Sequence, residues 1–120
     1  MQLFSPAFFH DKDQAFKRVQ LLGYRKNPQG YLKQFVAGCF APYPVREVEH
    51  GMHHATQLAA LLEYEWQEML LQKICNRGVG IEVYLGGKDA IINAMAAKTF
   101  FLPYATTFYI KNANHFLLEE

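Results

Sequence analysis

Apolar side chains recur along this chain with two different periods, and each change of period marks an expected element. Over residues 11–22 the apolar positions Ala15, Phe16, Val19 and Leu22 fall at helical spacing, with Asp11 and Asp13 at the positive end of the helix dipole and Gly23 as the stop. Asn27-Pro28-Gln29-Gly30 reads as a turn, and residues 31–40, aromatic and interrupted only by Gly38, read as a strand that Pro42 and Pro44 end. The helical period returns in the longest run, about 48–76, where Arg77 and Gly78 supply a basic last turn and a glycine stop. Residues 80–85 then alternate: Ile81, Val83 and Leu85 share one face, Glu82 and Tyr84 the other, as in a strand buried on one side. A helix rich in small residues (Ala90, Ala94, Ala96, Ala97) opens at Lys88 or Asp89. A second alternating strand covers 105–111, and after the turn Asn112-Ala113-Asn114 a short partner strand covers 115–119. An extended piece over 3–9 is a further candidate.

These elements predict an α+β fold: a small, largely antiparallel sheet of about four strands, with three helices packed mainly on one face and one of them long, about 48–76. If the strands at 80–85 and 105–111 are instead parallel neighbours, the helix between them must cross over. The 120 residues show no repeat or linker, so one domain over 1–120 is expected.

Composition narrows the function classes. A hydrophobic fraction of 51% with 15% aromatic and 19% charged residues implies a full core and an adhesive surface. The formal charge of +1 gives no net pull toward nucleic acid or an anionic membrane. No apolar run nears the ~20 residues that cross a bilayer. The first residues lack the pattern of a secretory signal, so a cytoplasmic protein with Cys39 and Cys75 as free thiols is expected.

Candidate chemistry is thin. His50, His53 and His54 cluster at the start of the long helical run, and on a helix His50 and His54 stand one turn apart, able to hold a divalent ion such as zinc if His10, Glu47 or His115 supplies a third ligand. The commoner role for such a cluster is a solvated helix start. The run Glu49-His50-Gly51-Met52-His53-His54-Ala55-Thr56-Gln57-Leu58 resembles the carboxyl-terminal metal-binding helix of the DinB-like four-helix proteins. That likeness implies His50 and His54 as the ligand pair, but the family is all-helical and the strands expected here depart from it. Gly86, Gly87 and Lys88 join a strand to a helix, where backbone N–H groups and a lysine can receive an anion, although Asp89 as a cap competes for those donors. Arg18, Arg25, Lys26 and Lys33, interleaved with Phe16, Tyr24 and Tyr31, suit a nucleic-acid accessory role, against which the balanced charge argues. No nucleophile is set beside a base.

The long helical run has two apolar faces. Ala55, Leu58, Leu62, Trp66, Met69 and Leu70 suit packing on the sheet, and a second stripe of Leu61, Tyr64, Leu71 and Cys75 predicts an interaction surface. The expected function is therefore that of a small cytosolic binding protein, without catalytic machinery or cofactor, that forms a homodimer and takes a protein or small-molecule partner. A metal- or histidine-dependent enzyme centred on His50 and His54 is the alternative.

Overall fold

The computed structural model describes residues 1–47 and 54–120. Its elements are β1 (Gln2–Phe4), α1 (Gln14–Lys26), α2 (Pro28–Phe40), α3 (Ala55–Glu63), α4 (Glu68–Asn76), β2 (Glu82–Gly86), α5 (Ala94–Phe101) and β3 (Thr106–Ile110). The three strands form one sheet in the order β1-β2-β3, and both pairings are parallel, with Leu3 opposite Val83 and Tyr84 opposite Phe108. The class is α+β, but among the described residues the sheet has three parallel strands where about four largely antiparallel ones were expected, and five helices replace three. Parallel neighbours need long crossovers, and α1–α4 and α5 provide them.

Three local readings change for identifiable reasons. Residues 31–40 belong to a helix: Asn27 Oδ1 accepts from Gly30 N at 3.1 Å and Pro28 occupies the first helical turn, so Asn-Pro serves as a helix start. The rings of Tyr31 and Phe35, one turn apart, then stack at 6.4 Å between centroids. The run expected as one helix over 48–76 gives α3 and α4, separated by extended backbone at Tyr64 and Gln67, while 48–53 lie outside the described residues. Trp66 accounts for the break. Its backbone N–H donates to His10 Nε2 at 2.8 Å and its indole N–H to the Ala7 carbonyl at 2.7 Å, so tertiary bonds replace helical ones. Residues 115–119 form no strand, because Asn114 gathers them into a turn: its Oδ1 accepts from Leu118 N at 2.9 Å, and Leu117 takes a φ of 61°.

The core lies on one side of the sheet. Val83 and Leu85 of β2 are buried against Phe8, Leu58, Leu62, Leu71, Ala97 and Phe101, with Leu3 of β1 packed beside them. Lys17 of α1 reaches Glu63 of α3 at 3.7 Å and ties the helical layer together. A parallel sheet is normally covered on both faces. Here the alternation of β1 and β3 leaves Gln2, Phe4, Thr106 and Phe108 exposed on the other face.

Candidate functional site

The uncovered face carries a row of aromatic rings, one from each strand. Phe4 and Tyr84 stack at 5.0 Å between centroids with planes 20° apart, and Tyr84 and Phe108 at 4.8 Å with planes 10° apart. That spacing is the distance between strands, so the rings stand as rungs of a ladder. Phe4 is 59% exposed and Phe108 40%. Beside the row, the Tyr84 hydroxyl donates to Glu82 Oε2 at 2.9 Å, and Gln2 Nε2 approaches Glu82 Oε1 at 3.5 Å. The hydrogen bond to Glu82 comes first among the causes that raise the Tyr84 pKa, followed by desolvation. The phenol is thus a proton donor held to a carboxylate.

At the carboxyl ends of the strands, where parallel sheets commonly bind ligands, the polar groups are spent on one another. His115 Nδ1 lies 2.7 Å from Asp89 Oδ2, and Asp89 Oδ1 accepts from Ile91 N and Ile92 N at 2.7 and 2.9 Å. Asp89 thus caps a turn, while the cap of α5 is Asn93, whose side chain accepts from Ala96 N. Asn114, fully buried, donates from Nδ2 to the Phe40 carbonyl at 2.8 Å and so fastens the carboxyl-terminal turn to the end of α2. Tyr43 bonds the Asn112 carbonyl in the same seam. Cys39 is buried nearby, and burial, then the Asp89 charge, push its pKa up to about 11. A thiol held protonated is a poor nucleophile at neutral pH.

The residues singled out in the sequence are dispersed. His54 is the N-cap of α3, its backbone N–H donating to Gln57 Oε1 at 3.1 Å, and His50 lies outside the described residues. Among the described residues, no three His, Cys, Asp or Glu side chains gather closely enough to hold a metal ion. Leu71 is 1% exposed and belongs to the core, whereas Tyr64 is 47% exposed and meets Trp66 edge-on. Leu61 lines a cavity of about 250 Å³ with Phe16, Tyr31 and Phe35. Cys75 Sγ lies 3.2 Å from the Tyr104 carbonyl. The break at 64–67 thus scatters Leu61, Tyr64, Leu71 and Cys75 over core, cavity and surface. In the turn at Gly86, Gly87 and Lys88, Gly87 N donates to the Ile110 carbonyl, Lys88 N to Ala113 and Asp89 N to Gly86. A Cβ on either glycine would collide with backbone carbonyls of 111–114, so the turn is a close junction with its donors engaged. Of the basic first third, Tyr24 and Tyr31 turn inward and meet edge to face at 5.9 Å.

Sequence reasoning did not select Phe4, Tyr84 and Phe108. One signal existed: alternation over 80–85 already put Tyr84 on the polar side of its strand, an unusual place for a large ring beside a fully apolar face.

Compared with models of known families, with curated proteins and with solved structures, the chain matches none.

Proposed function

We propose that the protein acts by contact, as a binding protein whose working surface is the uncovered face of its sheet. The observation that carries this reading is the Phe4-Tyr84-Phe108 row, whose outer rings Phe4 and Phe108 are exposed on the side of a parallel sheet that a second layer ordinarily covers. Stacked rings present their edges outward and their faces to one another, which suits packing against apolar side chains better than intercalation of bases. The Glu82 carboxylate beside the row repels phosphates, so a protein surface is the favoured partner over nucleic acid or an anionic membrane. The unpaired thiols Cys39 and Cys75 suit a reducing compartment such as the cytoplasm.

A photoreactive phenylalanine analogue at position 4, compared with one at the exposed helical position Val19, tests the reading in cells of the source organism. Discrete adducts at position 4 and none at position 19 are expected. Equal labelling at both positions, or none at position 4, contradicts it.

A further inference from the structure

The edge strand β3 has the chemistry of an interface with itself. Thr106 N donates to the Ile81 carbonyl at 2.9 Å and Gly87 N to the Ile110 carbonyl at 2.8 Å, which fixes the phase of the β2-β3 ladder. In a parallel ladder each residue turns its N–H and C=O to the same side. Thr106, Phe108 and Ile110 therefore face β2, and Thr107 and Tyr109 turn theirs outward, where no backbone partner meets them among the described residues. The strand Thr-Thr-Phe-Tyr-Ile has neither charge nor proline, and Phe108 and Tyr109 are exposed, so the usual protections of an edge are missing. The opposite edge differs: β1 is only three residues long and ends at Ser5, with a φ of 43°, and Pro6.

We infer that β3 pairs antiparallel with β3 of a second copy, about a twofold axis at Phe108. In that register Thr107 of each chain lies opposite Tyr109 of the other as a hydrogen-bonded pair, and every outward N–H and C=O of the strand finds a partner. Shifting the register leaves some of them unmet. The two Phe108 residues then form a non-hydrogen-bonded pair, whose side chains stand about 4.5–5.5 Å apart. This is the spacing of the rings already stacked on each sheet, so the Phe4-Tyr84-Phe108 row continues across the axis into its copy. Thr106 meets Ile110 on the same face, and no like charges oppose one another along the strand. The pairing rests on the proposed role of the uncovered face and doubles its length. A second copy is favoured over a foreign strand because the edge complements itself in donors, ring spacing and absence of charge.

Sedimentation equilibrium of the full chain over micromolar to millimolar concentration tests this pairing. The wild type is expected to move from 13.8 kDa to twice that mass. Thr107→Pro removes an N–H that faces away from β2, which an edge strand tolerates, and it is expected to weaken association at least about tenfold with an unchanged circular dichroism spectrum. Phe108→Lys, which sets two like charges opposite one another at the twofold axis, serves to weaken the pairing should the proline variant not fold. A wild type that stays at 13.8 kDa throughout, or a folded variant of either kind that dimerises like the wild type, overturns the inference. A monomer that still labels at position 4 removes only the β3 pairing; a β3 dimer unlabelled at that position removes only the contact role of the face.

Discussion

The two faces of the sheet use the same alternation of side chains for opposite ends. Toward the helices, Leu3, Val83 and Leu85 disappear into a close-packed layer with Phe8, Leu58, Leu71 and Phe101. Away from them, Phe4, Tyr84 and Phe108 stack on one another, with the half-buried Tyr84 between two rings that stay open to solvent. Burial on one side holds the molecule together, and large rings left uncovered on the other do little for the isolated chain. Stability and the proposed contact surface thus lie on opposite faces of the same three strands, one residue apart.

Substitutions can break that division, with the largest effects on the covered side. Phe101 is fully buried against Phe8, Trp66 and Phe100, so Phe101→Ala is expected to cost about 3–5 kcal/mol in urea-unfolding free energy. Asn114→Ala leaves the Leu118 N–H without its acceptor and the Phe40 carbonyl with the Tyr43 N–H but not the buried amide, and a loss of about 1–3 kcal/mol by the same measurement is expected.

Cys39 marks the same seam in the pH dependence. Its pKa in the folded protein, about 11, lies above the ordinary 9.0, so the folded state keeps the proton where the unfolded state releases it. Stability is unaffected by this group below pH 9, declines as pH rises toward 11, and levels off above that. Urea unfolding across that window should show a shallower decline in Cys39→Ala than in the wild type, and equal slopes would remove the thiol from this role. The smallest effect belongs to the open side: Phe108→Ser loses one cross-strand stack and is expected to change monomer stability by about 0.2–1 kcal/mol at most, while impairing contact.

Much of the carboxyl-terminal half was legible in the sequence, and less of the rest. The strand at 80–85 and its polar face are where alternation places them, because β2 is buried on one side only and period two survives intact. The first helix forms where helical spacing was read, but over Gln14–Lys26, and Asp13 accepts from Phe16 N to start it. It passes through the expected stop at Gly23, and Lys17 and Tyr24 are its buried residues while Ala15, Val19 and Leu22 stay exposed. The α2 segment was misread since Tyr31, Phe35, Val36 and Phe40 satisfy strand composition as well as helical spacing, and the Asn27-Pro28 start decides between them. The break at Trp66 has no local cause at all. It depends on His10 and Ala7, more than fifty residues earlier, which no window on the sequence brings together. Alternation showed Tyr84 on the polar side of its strand, but not the row: Phe4, Tyr84 and Phe108 become neighbours only once the strands are known to be parallel and in this order.

Amide hydrogen exchange at Thr107 and Tyr109, followed as a function of protein concentration, addresses the self-pairing of β3 along its open edge most directly. Their N–H groups point away from β2, so in dilute solution they exchange freely, and slowing that grows with concentration, while Thr106 and Phe108 stay protected throughout, is the expected outcome. Exchange at Thr107 and Tyr109 that remains fast and independent of concentration contradicts it.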